Sequence, residues 1–264
     1  MASIMERFHV AGRVAIVTGS GRGIGAATAI ALADAGADVV ISARNRSQME
    51  ETAAQVRERG RRALLVECDV LEAEQRKSLV EQTIAEFGRL DILVNNVGGS
   101  GPKPALETTD EEFEACFRFN VTTAFSMSCL SAPHMVETAG QGAIVNISSV
   151  AGRFPQPGFI SYGVGKAALD FMTRNLAQDF APKVRVNSIA VGSTLTASLA
   201  GVINDDLERA MVARTPMGRL GQPEDIAACA LFLASPAADY VTGEIYGVNG
   251  GLTGTPMEMP RAGL

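Results

Sequence analysis

Seven short runs of apolar, mostly β-branched residues recur along this 264-residue chain, at 13–18, 38–42, 63–68, 91–95, 143–147, 184–189 and 244–248. Their apolar positions are continuous instead of alternating, which predicts strands covered on both faces. Between them lie longer segments with apolar residues at helical spacing, at 26–35, 47–59, 72–87, 110–135, 160–180 and 223–234. Gly36 and Gly60 follow two of these helices, and Pro223 opens the last. Strands alternating with helices of this length need right-handed crossovers. The expected fold is therefore α/β, one doubly wound parallel sheet of about seven strands with helices on both faces. No Pro/Gly/Ser-rich linker divides the chain, so residues 1–264 are expected to form a single domain. Residues 192–221 have weak periodicity and predict one or two short helices over a pocket, while 252–264 show no clear pattern.

Composition narrows the class. Hydrophobic residues make up 47% and charged residues 20%, as in a globular domain with a sizeable core. No run of apolar residues is long enough for a transmembrane helix, and the N-terminal residues lack a secretion-signal pattern. The expectation is a soluble, cytoplasmic protein with no membrane partner. A net charge of −6 without a long basic run argues against nucleic acid. Cys68, Cys116, Cys129 and Cys229 are scattered, which predicts reduced, mostly buried thiols and no metal site. His9 and His134 have no carboxylate or Cys cluster beside them in sequence and are expected to be structural.

Two stretches carry chemistry. Gly19, Ser20, Gly21, Arg22, Gly23, Ile24 and Gly25 join the first strand to the first helix, where backbone N–H groups and a helix N-terminus can face a pyrophosphate. The second strand ends Ser42-Ala43-Arg44, with Asn45 next, and carries no acid to hold a ribose 2′-hydroxyl. Arg22, Ser42 and Arg44 suit a 2′-phosphate instead, so NADP(H) is the expected cofactor and NAD the alternative. Arginines that are merely solvated remain the other reading of Arg22 and Arg44. In the second stretch, Tyr162 precedes Lys166 by four residues, which on a helix sets phenol and ammonium one turn apart. A cation there favours the phenolate and tunes a general acid or base.

Taken together, several ordered motifs over residues 10–252 resemble the short-chain dehydrogenase/reductase family. They are Thr18-Gly19-x-x-x-Gly23-x-Gly25, Asp69-Val70, Asn95-Asn96-Val97-Gly98, Asn120, Ser149, Tyr162-x-x-x-Lys166 and Asn249-Gly250-Gly251. Segments 98–104 and 215–227 are similar to bacterial 7α-hydroxysteroid dehydrogenases, and the second is shared with 3-oxoacyl-acyl-carrier-protein reductases. The resemblance implies a Rossmann-type fold and a hydride transfer between nicotinamide and a ketone or secondary alcohol. By position it implies that Asp69 and Val70 border the adenine and that Asn95, Asn96, Val97 and Gly98 pass along the dinucleotide. Gly192, Thr194 and Thr196 would hold the carboxamide. Tyr162 would be the acid or base, Lys166 its tuner and ribose ligand, and Ser149, not Ser148, the partner of the substrate oxygen. Asn120 would hold a water linking Lys166 to solvent.

Three positions depart from the family pattern: Ala43 for an acid, Val97 for Ala, and Val191 for Pro before Gly192. Segments 99–104, 154–159 and 195–211, with Phe154, Phe159, Leu195, Leu199, Val202 and Met211, are expected to wall a pocket for a hydrophobic, hydroxysteroid-like small molecule. A 3-oxoacyl thioester is the alternative substrate, and an idle dinucleotide-binding regulator the alternative role. The resemblance also implies a homotetramer built on the helices at 110–135 and 160–180.

Overall fold

A computed structural model describes residues 3–201 and 203–256, excluding the side chains of Ala197 and Ser198. Val202 and the tail from residue 257 therefore lie outside the described residues. Seven parallel strands form one sheet in the order β3-β2-β1-β4-β5-β6-β7. They are β1 (Val14–Thr18), β2 (Asp38–Ala43), β3 (Ala63–Glu67), β4 (Ile92–Asn95), β5 (Gly142–Ser149), β6 (Val184–Val191) and β7 (Ile245–Val248).

Alternation of side chains across each strand divides the core in two. Ala15, Val17, Val39, Ile41, Val145, Ile147, Ile189 and Val191 face one way. There they meet α1 (Gly23–Asp34), α2 (Arg46–Glu58) and α9 (Pro223–Ala234) through Leu32, Met49 and Leu233. Val14, Ile16, Val40, Leu93, Ile144 and Val186 face the other way. There they meet α3 (Ala73–Phe87), α5 (Thr123–Ala139) and α6 (Ile160–Phe180) through Leu79, Met135 and Leu176. Both faces are covered, which is why the strands read as unbroken apolar runs. Among the described residues no helix is long and apolar enough to cross a membrane.

The expected helix at 110–135 is three elements. Asp110–Phe117 (α4) ends in a π-helical turn, Arg118–Thr122, and α5 then continues to Ala139. Thr109 and Glu112 close a reciprocal cap at the start of α4. Residues 192–221 hold two short helices as expected, α7 (Ala197–Ala200) and α8 (Asp205–Ala213).

Strand order reverses between β1 and β4, which both pair with their neighbours in parallel register. Chains leaving those two strands run to opposite sides, and the crevice between them is where an open α/β sheet accepts a ligand.

Candidate active site

Into that crevice run the glycine turn after β1 and residues 96–98 after β4. Gly19 has φ +64°, and a β-carbon on it would lie 3.0 Å from Asn96 Nδ2 and from Val97 Cγ2. Only glycine satisfies both the backbone angle and the space. Asn96 locks the two turns together: its backbone N–H donates to Thr18 Oγ1 at 3.0 Å and its Nδ2 to the Thr18 carbonyl at 2.9 Å. A cavity of about 640 Å³ follows, lined by Gly19, Arg22, Gly23 and Ile24, by Arg44, Asn45, Asp69 and Val70, and by Asn96, Val97 and Gly98. Ser149, Tyr162, Lys166, Gly192, Thr194 and Thr196 complete the same lining.

Three expected cofactor residues lie behind this surface. Ser20 is fully buried; its hydroxyl donates to the Val17 carbonyl at 2.6 Å and accepts the Ser42 N–H at 2.9 Å. Its own N–H donates to the Ser42 carbonyl at 3.1 Å, so its hydroxyl proton is spent on β1 and its N–H on β2. Ser42 is buried there and is absent from the cavity wall. Asn95 is buried too, donating from Nδ2 to Asn146 Oδ1 at 2.9 Å and to Ser128 Oγ at 3.2 Å. These three are scaffold. Arg44 stands at the rim with its side chain 76% exposed, and its Nη1 lies 3.7 Å from Asp69 Oδ2.

The residues expected to be catalytic come from β5, α6 and the π-turn. Ser149 ends β5, and its hydroxyl accepts the Ala151 N–H at 3.1 Å, so the residue is a turn cap as well as part of the cavity. Ser148 is buried, and its hydroxyl donates to the Lys166 carbonyl at 3.4 Å. Lys166 Nζ lies 5.7 Å from the centre of the Tyr162 ring and donates to the Ile147 carbonyl at 2.8 Å. Asn120 is fully buried in the π-turn. Its Nδ2 donates to the carbonyls of Gly99 at 3.0 Å and Cys116 at 2.9 Å, and its Oδ1 accepts the Gly99 N–H at 2.9 Å. A β-carbon on Gly98 would meet Asn120 Oδ1 at 2.7 Å and Lys166 Nζ at 2.9 Å, which puts all three residues together, Gly98 and Lys166 in the cavity lining and Asn120 behind it.

Electrostatics here differ from the expectation that Lys166 lowers the Tyr162 pKa. Burial pushes the Tyr162 phenol above its ordinary value, and the nearby Ser149 hydroxyl opposes that rise. Burial also pulls Lys166 down to about 8, against the pull of Asp170 one turn further along α6. One of the three Lys166 ammonium donors goes to the Ile147 carbonyl, and the phenol feels desolvation most.

A second cavity of about 420 Å³ shares Tyr162 and Phe119 with the first. Its walls are residues 99–103, Thr108, Gly158, Phe159, Ser161 and one face of α4 with the adjoining turn: Glu112, Ala115, Cys116 and Phe119. Phe159 meets the expectation of a pocket wall, its ring edge-on to Tyr162 with centroids 6.3 Å apart. Phe154, Leu195, Leu199 and Met211 do not line it, and Met211 is the buried residue of α8 itself. Arg153 reaches away to the Ile245 carbonyl at 2.6 Å, carrying its segment toward β7. No sequence motif marks the α4 residues of this wall, but 112, 115, 116 and 119 repeat at helical spacing, a stripe that periodicity reveals. All four cysteines are free, but only Cys68 is buried; Cys129 is exposed, contrary to the expected burial. Burial pushes the Cys68 and Cys229 thiols up to about 11.

A family model described as enoyl-(acyl carrier protein) reductase, one of the short-chain dehydrogenase/reductase models, matches residues 19–253. The chain belongs to the short-chain dehydrogenase/reductase family. It is 41% identical over 247 residues to the 7α-hydroxysteroid dehydrogenase of Escherichia coli K12, covering 93% of this chain and 96% of that one. It superposes with a TM-score of 0.91 on a 7α-hydroxysteroid dehydrogenase complexed with NADH and 7-oxo glycochenodeoxycholic acid. That structure is 40% identical, and the match covers 95% of this chain and 98% of that one. A gluconate 5-dehydrogenase from Burkholderia cenocepacia in complex with NADP and tartrate gives a TM-score of 0.88 at 35% identity, covering 95% of this chain and 99% of that one. As a member of the family, the chain is an oxidoreductase of CH–OH and C=O groups that uses a nicotinamide dinucleotide.

Proposed function

We propose that this enzyme is an NADP(H)-preferring reductase of ketones and dehydrogenase of secondary alcohols, with Tyr162 as the proton-handling group. One observation carries the reading. The cavity with the glycine turn and the cavity walled by α4 meet at Tyr162, so a dinucleotide in the first and a substrate in the second converge on one phenol. The residues suit the cofactor: glycines stand where a side chain would close the crevice, and Arg22, Arg44 and Asn45 line the part of the cavity beside β2.

When bound, the nicotinamide supplies the hydride chemistry. The chain's own residues do the rest. Tyr162 gives its phenolic proton to the oxygen of the carbonyl being reduced, and takes it back in oxidation. Ser149 donates a hydrogen bond to the same oxygen as charge develops there. Lys166 holds the ribose and stands beside the phenol. Asn120 fixes residues 98–99 and holds the water that links Lys166 to solvent. Phe119, Phe159 and Ala115 give the substrate cavity apolar wall, favouring a hydrophobic, hydroxysteroid-like ketone over a 3-oxoacyl thioester. Exposed Phe125 on α5 and Ile160, Val164 and Phe171 on α6 support pairing of these helices in a homotetramer, which light scattering tests.

A panel of ketones with NADPH and alcohols with NADP, including hydroxysteroids and 3-oxoacyl thioesters, tests the function. Turnover of hydroxysteroids with NADPH preferred is the expected result. Equal or better efficiency with NADH removes the cofactor preference, and hydride transfer to no ketone removes the enzymatic reading.

A further inference from the structure

The substrate cavity contains one ion pair. Lys103 Nζ lies 2.6 Å from both carboxylate oxygens of Glu112, and both residues line the cavity that has Tyr162 in its wall. Neither is needed there for an apolar ligand. Their side chains are 41% and 48% exposed, a setting in which an ion pair contributes little. The two ends of the pair are held differently. The Lys103 backbone is pinned, its N–H donating to the Gly158 carbonyl at 2.7 Å, while its ammonium sits on a flexible stem. Glu112 is anchored without Lys103, because its Oε2 accepts the Thr109 N–H at 3.0 Å in the α4 cap. Lys103 can therefore turn to another anion without stranding Glu112. It is also the cavity's only cation among the lining residues.

We propose that Lys103 recognises a carboxylate on the substrate and that Glu112 holds the ammonium in place until such an anion competes for it. The substrate class is then a ketone or secondary alcohol that also bears a carboxylate, the acid lying at Lys103 while the carbonyl lies at Tyr162. This rests on the proposed reading of Tyr162 and adds the recognition of the far end of the substrate.

Charge-specific kinetics test it with the keto acid best reduced in the panel and its methyl ester, which differ only in the anion. In the native enzyme the acid has the lower KM. Lys103→Met raises the KM of the acid about tenfold, as expected for loss of a charge-assisted hydrogen bond at a half-exposed site, and leaves that of the ester within about twofold. Glu112→Gln keeps the helix cap, since Gln serves at that position, and lowers the KM of the acid. Thermal melts of both variants check the fold. Equal KM values for acid and ester in the native enzyme, or equal effects of Lys103→Met on both, overturn the proposal. Turnover of the ester in that case leaves the reductase reading intact, whereas reduction of no ketone in the panel removes both.

Discussion

Asn120 and Gly99 are joined by two reciprocal hydrogen bonds, Nδ2 to the Gly99 carbonyl at 3.0 Å and the Gly99 N–H to Oδ1 at 2.9 Å. The side chain thereby imitates a strand partner for an otherwise irregular loop, at the place where the loop passes Lys166. Replacing Asn120 by Ala leaves half-buried backbone groups of Gly99 and Cys116 without partners and costs about 1 kcal/mol. The expected outcome is a lower Tm and a kcat that falls more than KM rises. A Tm and kcat equal to the native values would mean that the pair does not position the loop.

Gly98 stands where a methyl group would strike Asn120 Oδ1 and Lys166 Nζ. Gly98→Ala therefore forces one of those side chains to move, with an expected loss of stability of about 1–3 kcal/mol and a larger loss of kcat/KM. Unaltered turnover in that variant would show that Lys166 has another workable position.

The acid-base balance of the site predicts its pH response. Lys166 has a folded pKa of about 8, below its ordinary value, so the unfolded chain binds more protons between the two and stability rises as pH rises through that window. Activity that needs the ammonium moves the other way and falls as pH rises through about 8. Asp170 raises the Lys166 pKa from α6. Its carboxyl accepts the Ser188 hydroxyl at 3.0 Å and also feels Arg153, while Cys116 faces Lys166 from α4. Asp170→Asn should shift the basic limb of the kcat/KM profile to lower pH. A limb that stays where it is would show that Asp170 does not support the charge on Lys166.

Cofactor choice is testable at the end of β2. Ala43 lines the cavity where an acid could hold the ribose 2′-hydroxyl, and Arg44 stands beside it within 3.7 Å of Asp69. Ala43→Asp combined with Arg44→Ala should reduce the preference for NADPH over NADH by roughly tenfold or more. An unchanged ratio of kcat/KM values would place phosphate recognition elsewhere.

Much of the fold is legible in the sequence because its strands are buried on both faces: Val14 to Thr18 are apolar or small at every position, and the burial pattern is continuous. Tyr162 and Lys166 are legible because their spacing has a geometric meaning on a helix. The π-turn at Arg118–Thr122 is not, since one extra residue in a helical turn leaves local composition unchanged. Ser20 reads as a phosphate ligand from its place in the glycine turn, while its hydrogen bonds to Val17 and Ser42 depend on strand pairing that no local pattern encodes. Phe154 and Phe159 look alike in sequence, and only the folded chain separates them, with Phe159 in the cavity wall beside Tyr162 and Phe154 outside it.

The central claim is that the Tyr162 phenol moves the proton for hydride transfer. Tyr162→Phe deletes the hydroxyl and keeps the ring that packs on Phe159. NADPH binding by fluorescence titration together with kcat for ketone reduction in that variant tests the claim most directly. The account predicts a Kd for NADPH within about threefold of native and a kcat reduced by at least about 10³-fold, consistent with the loss of a general acid. A kcat within an order of magnitude of native would contradict it.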